Sequence, residues 1–260
     1  MKVLIACEES QTIAKAFRAR GHEAFSADIQ LCGGGGCPQW HIHGDVIPYI
    51  NGDCTFQTEN GDVHTITGQW DLLIAHPPCT YLSSVNNRHM SLRMNTPERV
   101  EARRAKMLEA MDFFMQFINA DCERIAVENP QGYVSTLYRR PDQTIHPYMF
   151  AESESDEENY QMKRTCLWLK GLPPLVTNDL PQPPPIRTYI AKSGKLKRIY
   201  FEENHGRLMG EKHRGNDAAA RSKTFPGIAR AMAEQWGDVT FVPIFSGRRK
   251  GEMPGQMYLF

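Results

Sequence analysis

The chain has 260 residues, 41% hydrophobic and 23% charged, with 30 Lys and Arg balancing 30 Asp and Glu. That length supports one large domain or two small ones. An aromatic share of 10% excludes wholesale disorder, and zero net charge argues against a histone-like polyanion binder while leaving room for a local basic face.

The apolar N-terminal stretch is too short for a signal peptide before it meets Glu8 and Glu9, and no run of about 18 apolar residues predicts a membrane span. Seven cysteines without a disulfide-rich spacing favour a reducing compartment, the cytoplasm. Residues 2–7 predict a first strand. Residues 11–20 carry Ile13, Ala14, Ala16 and Phe17 at helical spacing, and Gly21 stops them. Residues 23–29 predict a second strand ending near Asp28, followed by a glycine-rich loop over 30–40. Residues 70–75 predict a strongly apolar strand that ends at His76-Pro77-Pro78-Cys79. The longest helix is expected over 97–120, where Val100, Met107, Met111, Phe114 and Ile118 form a core stripe. Residues 124–127 predict a strand stopped by Glu128-Asn129-Pro130. This alternation predicts an α/β fold, a Rossmann-like doubly wound and mostly parallel sheet.

After residue 150 the character changes. Five acids in residues 152–158 predict a solvated loop, 165–169 a late strand, and six prolines in 172–185 an extended connector. Residues 186–223 hold ten Lys and Arg against four acids, and 227–236 predict a closing helix. No internal repeat is present.

Ligands of open α/β sheets bind outside the carboxyl ends of the strands. Three marked segments fall at such ends: Ala6-Cys7-Glu8-Glu9-Ser10, His76-Pro77-Pro78-Cys79-Thr80 and Glu128-Asn129-Pro130. A cysteine held by two prolines suits a nucleophile, and a glutamate on a second strand end can donate or accept a proton. A buried thiol and a glutamate cap would explain the same residues, and both readings stand at this point.

The order of these motifs resembles the cytosine-C5 DNA methyltransferases, in particular short, phage-type members with a class I S-adenosylmethionine-dependent fold. Their Pro-Cys turn is matched by Pro78-Cys79, their Glu-Asn-Val turn by Glu128-Asn129-Pro130, and their Gln-x-Arg-x-Arg strand is approached by Gln161-Met162-Lys163-Arg164-Thr165. Their closing glycine-led helix resembles residues 227–236, so the resemblance runs collinearly over about residues 1–237. The chain departs from the family in three places. Its first loop, Cys7-Glu8-Glu9-Ser10-Gln11, lacks glycine; Thr165 replaces the second arginine; Ile228 follows Gly227 where the family has Asn.

The resemblance implies S-adenosyl-L-methionine as cofactor, bound by Cys7, Glu8, Glu9, Ser10, Asp28, Asp45 and Pro77, with Asp28 on the ribose hydroxyls and Asp45 on the adenine amino group. It implies Cys79 as the thiolate that adds to cytosine C6, Glu128 as the group on N3 and N4, and Lys163 or Arg164 on the O2 side. A base inside a duplex must flip out to meet Cys79. Residues 1–170 and 224–245 would form the catalytic domain and 171–223 a small DNA-recognition insertion. Its basic stretch with Tyr189, Tyr200 and His205 suits phosphate contact and base stacking.

Cys32, Cys37, His41 and His43 are numerous enough for zinc, but their spacing around Gly33-Gly34-Gly35-Gly36 matches no common finger; a glycine loop without metal is expected. Residues 246–260 read as a flexible tail. Its last five, Gln256-Met257-Tyr258-Leu259-Phe260, resemble the bacterial sliding-clamp-binding peptide, with Gln256 as polar anchor and Met257, Leu259 and Phe260 as apolar contacts. Expected partners are therefore DNA and a sliding clamp, and no membrane. Two other readings remain: C5 modification of a free pyrimidine nucleotide with a different cofactor, and a catalytically degenerate clamp-tethered DNA-binding protein.

Overall fold

Alternation along the central strands decides the layering. In the computed structural model, which describes residues 1–33, 35–185, 187–191, 193–199 and 224–237, β1 (Lys2–Ala6) turns Val3 and Ile5 to one face and Leu4 and Ala6 to the other. The first face packs on Ile13, Ala14 and Phe17 of α1 (Thr12–Ala19). The second packs on the stripe Met107, Met111, Phe114 and Phe117 of α2 (Pro97–Ile118). Both faces are covered, so the central strands are apolar throughout.

β2 (Glu23–Asp28) and β3 (His41–His43) extend the sheet on one side of β1. A hairpin of β4 (Cys54–Gln57) and β5 (Val63–Ile66) stands apart as its own two-stranded sheet. β6 (Leu72–Ala75) and β7 (Ile125–Asn129) extend the main sheet on the other side. After the single turn α3 (Val134–Leu137), β8 (Gln143–Ile145) and β9 (Thr165–Lys170) complete it. The order is β3-β2-β1-β6-β7-β9-β8; the first five strands run parallel, and β9 is antiparallel to both of its neighbours. The expected Rossmann-like, mostly parallel α/β sheet is present.

β10 (Arg187–Ile190) and β11 (Leu196–Ile199) form a separate antiparallel ribbon, and α4 (Pro226–Gly237) closes the α1 face with Ile228, Met232 and Trp236. The β4–β5 hairpin was not legible in the sequence. It buries Phe56 edge-on against Phe25 at 5.0 Å and stacks it on Trp70 at 6.3 Å, closing one end of the α2-side core.

The acidic run is more than a solvated loop. Asp156 accepts from the backbone N–H of Glu152 and from Asn159, and Asn159 Oδ1 accepts the backbone N–H of Gly227 at 2.8 Å, supplying the start of α4 with a partner. A Cβ on Gly227 would lie 2.6 Å from the Phe150 carbonyl oxygen, so glycine leads the helix because the chain passes too close for a side chain. No helix among the described residues is long and apolar enough to cross a membrane. The tail, Gln256, Met257, Leu259 and Phe260 included, lies outside the described residues, as do Tyr200 and His205.

Phe114 is fully buried and meets Trp168 edge-on at 5.4 Å. Phe114→Ala should cost about 3–5 kcal/mol in a urea titration; a cost below about 1 kcal/mol would place the residue outside the core.

Candidate active site

Because β1, β2, β3, β6 and β7 run parallel, their carboxyl ends share one edge of the sheet. The chain winds outward from β1 through β2 and β3, then returns to β6 and winds the other way, so a crevice opens between the ends of β1 and β6. Cys7–Ser10 form one lip and His76–Cys79 the other. The antiparallel direction of β9 brings its start, and with it residues 161–164, to the same edge.

The Cys79 turn is tied down. Pro77 is buried, and its carbonyl accepts from Nδ2 of the fully buried Asn129 at 2.8 Å. The Cys79 carbonyl accepts the N–H of Leu82 and Ser83, which closes a turn that leaves Cys79 exposed. Beyond it, Ser83 pairs with Gly132, Tyr133 N–H donates to the Leu82 carbonyl at 2.8 Å, and Ser84 Oγ donates to the Gln131 carbonyl at 3.0 Å. A Cβ on Gly132 would lie 1.9 Å from the Leu82 oxygen. The two loops can therefore lace only because Gly132 has no side chain. Nothing in the sequence around Gly132 announced this, since the contact is between loops about 50 residues apart.

Glu128, next to Asn129, has a side chain 25% exposed, and its Oε2 lies 3.4 Å from His76 Nδ1. Arg164 Nη1 donates to Gln131 Oε1, which puts its guanidinium at the β7 turn. Lys163 diverges, with its ammonium 5.2 Å from the Phe225 ring. Of the two cations expected on the O2 side, Arg164 is the one brought to the loop that follows Glu128. On the outer side, Arg103 of α2 donates to the Thr80 carbonyl at 3.2 Å, and Arg103 and Lys106 lie over the Tyr81 ring at 5.0 and 5.6 Å. This basic and aromatic group beside Cys79 was missed because Tyr81 and the two cations of α2 are more than 20 residues apart in sequence.

The β1 lip is built differently from a glycine loop. Cys7 and Gln11 adopt φ of 59° and 58°, a region that favours glycine. Gln11, fully buried, exchanges two hydrogen bonds with the backbone of Cys37 and donates a third to Ser26 Oγ. It fastens the loop after β2 to the sheet. Glu8 lines the cleft, but its carboxylate is not free for a ligand. Its carboxylate accepts the N–H of Ile13 and Ala14 at 2.6 and 3.2 Å, capping α1. Burial pushes its carboxyl up to about 7, and the charge of His76 and the two amide bonds pull the other way. Burial also pushes the Cys7 thiol up to about 12, helped by Asp28 and Asp45, so Cys7 is a thiol and no nucleophile.

Asp28 and Asp45 thus converge on Cys7, and each holds its own loop: Asp28 Oδ1 accepts from Gln30 N–H and Asp45 Oδ1 from Ile47 N–H. Cys7, Glu8, Glu9, Ser10, Asp28, Gln30, His76 and Thr224 line a small cleft of about 60 Å³. A larger hollow of about 340 Å³ lies beside the C-terminal half of α2, lined by residues such as Ile47, Asp112 and Met115 and by none of those that line the small cleft.

Around the glycine loop, Cys32 gives its thiol hydrogen to Glu59 Oε2 at 3.0 Å, and His41 Nδ1 lies 2.8 Å from Ser26 Oγ. Cys32 is thus engaged by a carboxylate, and His41 is fully buried in the sheet edge. No group of three or more metal-ligating side chains is assembled among the described residues. The chain matches no known protein-family model and no curated protein.

Two measurements test this description. All seven cysteines are thiols, and only Cys79 is exposed. Iodoacetamide should therefore label Cys79 first, and mass spectrometry of the peptides should find the fast phase gone in Cys79→Ser. Glu8 provides the second. A raised carboxyl pKa means that the folded state holds the proton more tightly than the unfolded chain. The stability this contributes is full below the ordinary value of 4.5 and is lost as pH rises through about 7. Glu8→Gln stays neutral and keeps an oxygen acceptor, so its melting temperature should gain on the native chain between about pH 5 and pH 8. A constant difference over that range would show that Glu8 is not buried as described.

Proposed function

We propose that the protein methylates cytosine C5 in DNA with S-adenosyl-L-methionine, through an adduct on Cys79. The observation that carries this reading is an exposed cysteine on a proline-fixed turn, laced to the end of β7, the strand that carries Glu128. The collinear resemblance of the sequence to the cytosine-C5 methyltransferases supplies the choice of substrate.

The crevice supports the cofactor by its charge. Glu9 and Asp28 line it, and Asp45 acts on the adjoining Cys7. Such a site suits a ligand that carries positive charge, as a sulfonium with an amino group does. It disfavours a dinucleotide, because the pyrophosphate would need the N-terminus of α1, and Glu8 already takes the amides of Ile13 and Ala14. Asp28 and Asp45 are the residues that would hold the ribose and adenine. When bound, the cofactor would supply an electrophilic methyl group.

The remaining steps belong to the chain's own residues. Cytosine C5 is too weak a nucleophile to be methylated directly. The Cys79 sulfur forms a bond to C6, and the ring electrons move to C5. Glu128 gives a proton to N3 as this happens, which relieves the charge on the ring. Arg164 stabilises the O2 side. Solvent water then takes the C5 proton, the N3 proton returns to Glu128, and Cys79 leaves as a thiolate, which restores the aromatic ring. The target base must leave the duplex to reach Cys79. Arg103, Lys106 and Tyr81 beside the turn, and Arg187, Tyr189 and Lys197 on the β10–β11 ribbon, suit contact with the phosphates and bases around it.

The small cleft favours one rival: a reaction on free pyrimidine nucleotides with another cofactor, since about 60 Å³ is far less than a drug-sized pocket of about 300 Å³ or more. DNA from cells expressing the native chain should gain 5-methylcytosine, measured by mass spectrometry of nucleosides, and Cys79→Ser should give none. A gain in modified nucleotide pools with unmodified DNA would select the rival. Glu128→Gln keeps the shape of the site and should lower turnover by roughly 100-fold with little change in melting temperature; full activity would make Glu128 a cap.

A further inference from the structure

His76 is the one side chain that belongs to both lips of the crevice. It lines the cleft over β1 with Glu8, Glu9 and Asp28, yet its Nδ1 lies 3.4 Å from Glu128 Oε2 at the end of β7. Its backbone is fixed, because its N–H donates to the Ala6 carbonyl at 2.9 Å and Pro77 follows it. Its side chain is 11% exposed. Within the described residues Nε2 is buried and has no hydrogen-bond partner, and the Glu128 carboxylate is the hydrogen-bond partner of the other ring nitrogen. An unpartnered buried polar atom costs about 1–3 kcal/mol; His64 and His146 also carry such a ring nitrogen, and what distinguishes His76 is that its other nitrogen faces the Glu128 carboxylate while the residue lines the cleft. A side chain chosen only to fill this space would be apolar.

We propose that His76 is a positioning residue for Glu128: Nδ1–H donates to Oε2 and holds the carboxyl group toward the pyrimidine edge. This rests on the reading of Glu128 as the group that protonates N3. A carboxyl on a freely rotating side chain reaches the ring nitrogen only part of the time. With Oε2 held by an imidazole whose own backbone is anchored to β1, the geometry of protonation is set before the base arrives. The 3.4 Å separation is long for a hydrogen bond, and catalytic hydrogen bonds commonly tighten only when substrate is bound.

The test combines substitution with a spectroscopic readout that needs no turnover. In the full chain, ¹⁵N resonance of the His76 ring should show a proton on Nδ1, and Glu128→Gln should shift the ring signals. Signals unmoved by Glu128→Gln overturn the proposal, whatever the enzyme turns out to do. For activity, His76→Ala should lower kcat by roughly 100-fold, the scale set by loss of orientation, with iodoacetamide labelling of Cys79 unchanged. His76→Asn places an amide N–H near the position of Nδ1 and should restore most of that loss; His76→Gln, whose amide lies near Nε2, should not. Native turnover in folded His76→Ala, or equal rescue by Asn and Gln, overturns the proposal. Should the native chain show no methyl transfer at all, the reading of the site fails, and the ring signals still decide the role of His76.

Discussion

The hydrogen bond from Asn129 to the Pro77 carbonyl ties the turn of the candidate nucleophile to the strand that carries Glu128. Everything else at this edge depends on it. Proline at 77 and 78 removes two backbone donors and much of the chain's freedom, so the turn needs an outside partner, and Asn129 is the buried one. The Ser83–Gly132 pairing extends the tie for another turn of chain. With both loops held as one unit, Cys79 can be exposed without being loose. Orientation of reacting groups is worth several kcal/mol in an enzyme, and a rigid exposed turn supplies it before the substrate arrives.

Charge sets the other half of the crevice. In an open α/β sheet the N-terminus of the helix after β1 is a ready anion site. Here the chain fills that site itself with Glu8, and it adds Glu9, Asp28 and Asp45 nearby. The amides of Ile13 and Ala14 are thereby taken, and Glu9 and Asp28 leave the cleft acidic. The loop achieves this without glycine. Cys7 and Gln11 take up positive φ at a cost of about 1–3 kcal/mol each, and the three hydrogen bonds of Gln11 offset part of it. Cys7 is kept protonated by burial and by the neighbouring acids, and Cys79 is the exposed thiol of the edge.

Much of the scaffold was legible because it follows local periodicity. Residues 2–7, 70–75 and 97–120 matched β1, β6 and α2 to within two residues at each end, since apolar alternation and the Met–Phe stripe are short-range signals. The strand-end segments that carry Cys79 and Glu128 were legible for the same reason. What escaped depends on contacts distant in sequence. β4 and β5 are half-exposed strands whose meaning comes from Phe56 meeting Phe25 and Trp70. Glu8 looked like a ligand acid, but its role is set by the amides of Ile13 and Ala14, which only the fold of the turn brings to it. Adjacent in sequence, Lys163 and Arg164 point to different partners because they lie just outside β9, where successive side chains diverge. His76 was visible as part of a motif, but its link to Glu128 depends on the register of β6 and β7.

The central claim is that the sulfur of Cys79 bonds to a pyrimidine carbon. DNA carrying 5-fluorocytosine tests it most directly, because a fluorine at C5 cannot leave as a proton and the adduct cannot resolve. Incubated with such DNA and S-adenosyl-L-methionine, the chain should gain the mass of the oligonucleotide, and peptide mapping should place the bond on Cys79. No adduct on the native chain, or an adduct that persists in Cys79→Ala, would contradict the account.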